Sequence, residues 1–243
     1  MIEFKNLVKR FGTRTVLNGL NLEIREGEII FVLGTSGTGK SVLLKNIVGL
    51  LKPDEGEIWI DGEEVSQFTE DQYFPIRKKC GMVFQHPALF DSLTIYENVA
   101  FGLRRHFQLS EDEIKARVGK ALNLVHIQGV EEKRPAQISY GMQKRVSLAR
   151  TIALQPKILL FDEPTTGLDP VTTTAVNQLI QDLSKKLRTT SIVVSHDMNC
   201  ALSIADRIVV LDKGQIVALG TPDELKRSTH PLVKDFLEEV LHA

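Results

Sequence analysis

Eight residues, Gly34-Thr35-Ser36-Gly37-Thr38-Gly39-Lys40-Ser41, constrain this chain more than any other stretch. They fit the pattern GxxxxGK[ST], the phosphate-binding P-loop. The run Glu28-Ile29-Ile30-Phe31-Val32-Leu33 before them reads as a buried strand. After them Val42, Leu43, Leu44, Ile47 and Val48 repeat at helical spacing, which predicts a helix to about Leu51. Glycines let a backbone wrap close to a polyphosphate, so that successive N–H groups and the positive end of the following helix face the anion. Lys40 is placed to reach the β- and γ-phosphates, and Ser41 to ligate Mg²⁺. Whatever the fold, it must deliver a buried strand straight into an accessible phosphate cradle.

The chain has 243 residues, long enough for one large domain or two small ones, and its 42% hydrophobic residues can build a real core. Thirty basic and 31 acidic residues leave a net charge of −1, which gives no electrostatic reason to expect a nucleic-acid partner. The two cysteines, Cys80 and Cys200, have no metal-ligand or CxxC spacing and fit a reducing compartment as small buried residues. No cationic and apolar leader precedes Ile2-Glu3-Phe4. No apolar run reaches the ~20 residues that cross a bilayer, so a membrane role would require a partner.

From Ile2 to Ile24, short alternating runs split by Phe11-Gly12-Thr13-Arg14 predict antiparallel β structure. Pro53-Asp54-Glu55-Gly56 breaks the P-loop helix. Glu57 to Gly62 reads as a strand and turn, Phe74 to Lys79 as a short helix, and Gly81-Met82-Val83-Phe84 as an apolar strand ending at Gln85. Between about Leu93 and Leu154 the spacing is helical (Ile95-Val99-Leu103, Ile114-Val118-Leu122, Val146-Ala149-Ile152), which suggests an inserted helical subdomain. Strands at 158–161, 191–194 and 208–211 then alternate with helices at 171–187 and 198–205, the rhythm of a parallel sheet with right-handed crossovers. The last stretch, Pro231 to Leu241, puts Leu232, Val233, Phe236, Leu237, Val240 and Leu241 on one helical face, for packing on its own domain or against a partner chain.

A P-loop alone leaves many nucleotide-dependent activities open. Ile158 to Phe161 leads into Asp162 and Glu163, an apolar strand ending in two carboxylates. The first can hold Mg²⁺ through water, and the second can polarise an attacking water as general base. Val193-Val194-Ser195-His196 is another apolar strand ending in a polar residue. In doubly wound sheets ligands gather at the carboxyl ends of strands. Gln85, Asp162, Glu163 and His196 would then collect at one sheet edge beside the P-loop, with His196 placed for a γ-phosphate contact.

These residues, taken together, resemble an ATP-binding cassette (ABC) ATPase subunit over essentially the whole chain. Gly34 to Ser41 resembles Walker A, Gln85 the Q-loop, Ser139-Tyr140-Gly141-Met142-Gln143 the signature motif and Leu159 to Glu163 Walker B. Gly167-Leu168-Asp169 resembles the D-loop and His196 the switch histidine. The implied fold is α/β, a P-loop NTPase with a mixed core sheet, an N-terminal antiparallel β-subdomain and an inserted α-helical subdomain. The core would occupy 1–92 and 155–228, the helical part 93–154 and a C-terminal amphipathic helix 229–243. The resemblance also implies the site. Glu163, His196, Gln85 and Lys40 would be catalytic, and Ser41, Gln85 and Asp162 would hold Mg²⁺. ATP would be bound by Phe11, stacked on adenine, by Gly34, Thr35, Ser36, Gly37, Thr38, Gly39, Lys40, Ser41 and Val42, and by Ser139, Gly141 and Asp169.

The signature motif departs from LSGGQ. Ile138 stands for Leu, Tyr140 for the first glycine and Met142 for Gln, so hydrolysis is expected at a rate these changes could lower. In the family two cassettes close head to tail over two ATP molecules, which implies a homodimer on ATP binding. A permease subunit in the membrane would be the partner, placing the chain on the cytoplasmic face. The apolar stretch His86 to Tyr96 would be either helical-subdomain core or the groove receiving that permease. Lys40 to Lys45, Gly81 to Gln85, Leu89 to Ser92 and Gly141 to Arg145 are similar to Mla/Mkl-type cassettes, which implies lipid trafficking with periplasmic or accessory subunits. The alternative is a soluble assembly ATPase of the iron–sulfur cluster biogenesis type.

Overall fold

The chain begins as a hairpin. β1 (Ile2–Phe11) turns through Gly12-Thr13 into β2 (Arg14–Ile24), paired from Ile2 opposite Ile24 to Phe11 opposite Arg14. On its other edge β1 pairs with β4 (Glu55–Ile60), which turns at Asp61-Gly62 into the two-residue β5 (Glu63–Glu64). Both turn residues have positive φ, +53° and +81°, the form that matches the twist of a tight hairpin. In this computed structural model, residues 2–241 are described, with side chains to Glu238.

The second sheet contains β3 (Ile29–Leu33), β6 (Cys80–Val83), β7 (Ile158–Asp162), β8 (Thr190–Ser195), β9 (Arg207–Asp212) and β10 (Gln215–Gly220). Its order is β10-β9-β3-β8-β7-β6, parallel except for the antiparallel edge strand β10. Period-2 alternation divides its side chains between two apolar layers. Phe31, Leu159, Phe161, Val193, Ile208 and Val210 face one core. Ile30, Val32, Leu160, Ile192, Val194, Val209 and Leu211 face the other. That second core is roofed by the antiparallel sheet and by α1 (Lys40–Ile47), which inserts Leu43, Leu44 and Ile47.

On the first face lie α6 (Pro170–Leu187), α7 (Met198–Ile204) and the α3–α5 group: α3 (Ile95–His106), α4 (Glu111–Leu124) and α5 (Tyr140–Ile152). α2 (Glu70–Lys79) precedes β6, and α8 (Pro222–Lys226) follows β10. α9 (Pro231–Leu241) buries Val233 and Phe236 in the first core beside α7, so this part of the helix packs on its own chain. The side chains of Val240 and Leu241 lie outside the described residues.

Two boundaries and one strand differ from the sequence expectation. α1 stops at Ile47, not Leu51, because Gly49 takes φ +66° and forms a Schellman cap: Gly49 N–H donates to Asn46 O at 3.2 Å and Leu50 N–H to Lys45 O at 2.9 Å. α2 starts at Glu70 rather than Phe74, because Thr69 and Gln72 form a reciprocal capping box. β10 was unanticipated.

Candidate functional site

Helices α2 to α8 each begin on a Thr, Ser or Asp whose side-chain oxygen accepts a first-turn N–H. α1 begins on Gly39 with no side-chain cap. Its first amides are therefore left for a ligand, and the positive end of the helix makes that ligand an anion. Only glycine fits at this position. Gly39 has φ +106°, and a β-carbon there would lie 2.8 Å from Leu17 Cδ2 and 3.0 Å from Val16 O, so β2 backs directly onto the loop.

The P-loop forms one wall of a cleft of about 740 Å³. Thr35, Ser36, Gly37, Gly39, Lys40, Ser41 and Val42 line it, with Gln85, Glu163 and His196 facing them. Gly34 and Thr38 sit in the loop behind this surface, where Thr38 Oγ1 donates to Thr35 O at 2.9 Å. Lys40 is buried, and its Nζ donates to Gly34 O at 2.7 Å and Thr35 O at 3.1 Å. The same ammonium lies 3.6 Å from Glu163 Oε1.

Parallel strands deliver the opposing groups, as their order requires. β7 ends at Asp162, whose Oδ1 accepts from Ser41 Oγ at 2.8 Å. The next residue, Glu163, has φ +49°, an uncommon conformation for a residue with a side chain, with its N–H donating to Val194 O at 2.9 Å. Glu163 Oε2 meets His196 Nδ1 at 2.8 Å and accepts from Thr166 Oγ1 at 3.2 Å. One carboxylate is thus gripped between a histidine, a threonine and the P-loop lysine.

Ser41 and Asp162 offer hard oxygen ligands already in contact, with Gln85 lining the same cleft. No group of three His, Cys, Asp or Glu side chains able to hold a metal occurs among the described residues. This donor set fits Mg²⁺, which binds through one or two carboxylates and substrate phosphates rather than a closed protein cage.

Ser139, Gly141 and Asp169 are elsewhere. They line a separate groove of about 230 Å³ that shares no lining residue with the P-loop cleft. Ser139 caps α5 by accepting from Met142 N–H at 3.3 Å. Asp169 caps α6, accepting from Thr172 Oγ1 at 2.6 Å and Thr172 N–H at 3.0 Å, and the Thr172 hydroxyl and amide hold its carboxyl below the usual range. Phe11 does not line the cleft either. It is 47% exposed at the tip of the first hairpin, with Lys9 Nζ 5.6 Å from its ring centre.

Four cleft residues were not foreseen: Arg14, Val16, Thr166 and Phe236. Arg14 Nη2 donates to Gly37 O at 3.3 Å. Its signal was its place opposite Phe11 across the turn, and that of Thr166 was its spacing three residues beyond Glu163. Nothing local marks Phe236, which α9 brings in from the far end of the chain.

The ABC transporter family profile matches residues 17–166. The chain is 42% identical over 236 residues to the probable ribonucleotide transport ATP-binding protein Mkl of Mycobacterium leprae, covering 97% of this chain and 68% of that protein. It is 40% identical to the intermembrane phospholipid transport system ATP-binding protein MlaF of Haemophilus influenzae (98% and 90%) and 42% identical to the Fe(3+) ions import ATP-binding protein FbpC of Vibrio cholerae (93% and 63%). Among solved structures, CbiO1 of Clostridium perfringens, part of the ABC transporter complex CbiONQ, superposes with a TM-score of 0.87 at 32% identity, covering 97% of this chain and 94% of that one. The dimeric post-hydrolysis cassette MJ0796, bound to ADP and phosphate, gives 0.83 at 35% identity (91% and 99%). The chain belongs to the ABC transporter family, as one of its ATP-hydrolysing cassettes.

Proposed function

We propose that two copies of this chain close over two ATP molecules and that hydrolysis drives a membrane permease, with lipid as cargo. The observation that carries this reading is the division of the site. The P-loop cleft gathers Lys40, Ser41, Gln85, Glu163 and His196, with Asp162 bonded to Ser41 at its edge, whereas Ser139 and Gly141 line a groove apart from it. A γ-phosphate bound by Lys40 would be capped by Ser139 and Gly141 of a second copy, with Asp169 at the seam. The core (1–92 and 155–228), the helical part (93–154) and the C-terminal helix (229–243) are the moving parts.

In this mechanism Lys40 and the amides at the start of α1 take up charge on the phosphates. Glu163, oriented by His196 and Thr166, accepts the proton of the attacking water. Mg²⁺, held by Ser41, Asp162 and Gln85, would neutralise charge on the phosphate oxygens. Phe11, with an exposed ring at the hairpin tip, is the adenine platform. The likeness to MlaF supports the lipid reading, with accessory subunits beyond the permease, whereas Mkl is named for ribonucleotide transport. FbpC is no less similar, so cargo is decided by what copurifies from detergent-solubilised membranes. A permease with lipid-binding subunits supports this reading; an iron-import permease or a purely soluble complex overturns it. Among the described residues no helix is long and apolar enough to cross a membrane, so attachment to the cytoplasmic face runs through the permease.

The catalytic assignment is tested by Glu163→Gln, expected to keep ATP affinity, lose about 100-fold or more in turnover and elute as a dimer with ATP. Lys40→Ala is expected to weaken ATP binding about tenfold or more. Normal turnover in the first, or unchanged affinity in the second, rejects the assigned role.

A further inference from the structure

Tyr140 stands where the family motif has glycine, and its surroundings give that bulk a place. The residue opens α5, and its hydroxyl lies 3.3 Å from Nδ1 of His86, the neighbour of Gln85. A β-carbon on Gly167 would sit 3.7 Å from Tyr140 Cε1. One helical turn on, Lys144 Nζ lies 5.5 Å from the centre of the tyrosine ring and donates to Pro164 O at 2.9 Å and Thr166 O at 2.8 Å. The lysine is buried, and burial lowers its pKa against the opposing pull of Glu163. One aromatic side chain at the start of the signature helix therefore bonds to the segment after Gln85 and shares a groove with Gly167, in the segment after Glu163.

We infer that Tyr140 is a positioning residue: its hydrogen bond to His86 parks the ring against its own chain, keeps the groove of Ser139 and Gly141 open, and ties that groove to the Gln85 segment. This inference rests on the dimeric ATPase reading above. The geometry gives the reason. The ring is 38% exposed and lines the same groove as Ser139, Gly141 and Asp169, so a ring released from His86 can swing over the surface that must receive the second copy's phosphate. The tether and the bulk have opposite effects, and removing one without the other separates them.

Removing the hydroxyl alone, in Tyr140→Phe, leaves the bulk without its anchor. His86→Ala removes the other end of the same contact. Each is expected to lower kcat about threefold, the size of one partly exposed hydrogen bond. ATP affinity of the isolated P-loop cleft and the thermal midpoint should stay unchanged. The double variant is expected to lose no more than either single one. Tyr140→Gly, which removes tether and bulk together, is expected to turn over faster than Tyr140→Phe, an order that simple loss of packing does not produce.

The contact itself is read without hydrolysis, from the ¹⁵N shift of the His86 imidazole, which is expected to move in Tyr140→Phe. A shift that does not move, single-variant losses that multiply in the double variant, or a glycine variant slower than the phenylalanine one would overturn the proposal. A wild-type protein with no ATP turnover but with the His86 shift still moving would instead overturn the catalytic reading on which the proposal stands.

Discussion

Glu163 carries the proposed catalytic carboxylate on a left-handed backbone, which costs a residue with a β-carbon roughly 1–2 kcal/mol. The cost is met locally by its N–H bond to Val194 O and by the grip of His196 and Thr166 on the carboxylate. Asp162 and Glu163 were legible in the sequence because a strand-end carboxylate pair is a local pattern. The backbone conformation was not, since it follows from the register of β7 against β8. Phe236 escaped for the same reason: tertiary placement brings it to the cleft. The cysteines give a test at this scale. Cys200 Sγ lies 2.8 Å from Asp197 Oδ2, and burial first, then Asp197, pushes its thiol up to about 12. Burial raises Cys80 to about 12 as well. At pH 8 both should be almost wholly protonated, with thiolate on the order of one part in ten thousand. Timed labelling with a disulfide reagent should therefore be slow in the folded protein and fast after unfolding. Labelling at the rate of a free cysteine without unfolding would contradict these environments.

At the level of elements, the helix starts were written in the sequence more plainly than they were read. Thr69 with Gln72, Thr94 with Glu97, Ser110 with Glu113 and Thr221 with Glu224 all form capping boxes, yet α2 was expected to begin only at Phe74. The structure carries Pro75 inside the helix, in its second turn. The end of α1 was misread in the opposite sense: Pro53 looked like the breaker while Gly49 had already closed the helix. Gly49 also packs against a buried ring, for a β-carbon there would lie 2.5 Å from Tyr73 Cε2. Gly49→Ala should combine a left-handed alanine with overpacking and lower stability by about 2–4 kcal/mol. Urea denaturation of the two proteins checks this, and a midpoint equal to wild type would show that Tyr73 yields freely.

Across the whole molecule, the order of the parallel strands along the chain could be read because each carries its own apolar run, whereas the edge strand β10 was not foreseen. The order of strands across the sheet could not. β3 pairs with β8 and β9, and Ile30 sits between Ile192 and Arg207, partners encoded far downstream. A chain ending at Arg188 would keep the P-loop, Gln85, Ser139, Asp162 and Glu163 but lack both neighbours of β3. It is expected to bind no ATP in a fluorescent-nucleotide titration; full-length affinity would show that the loop holds its shape alone. The same pairing has a consequence for biosynthesis. The phosphate loop leaves the ribosome early, but the strand that aims it gains its second neighbour only once Asp212 has emerged. At 5–20 residues per second this delay is on the order of 10–40 s. Until then the loop lacks the scaffold that makes it a nucleotide site, so ATP in the cell would engage only chains extended past Asp212.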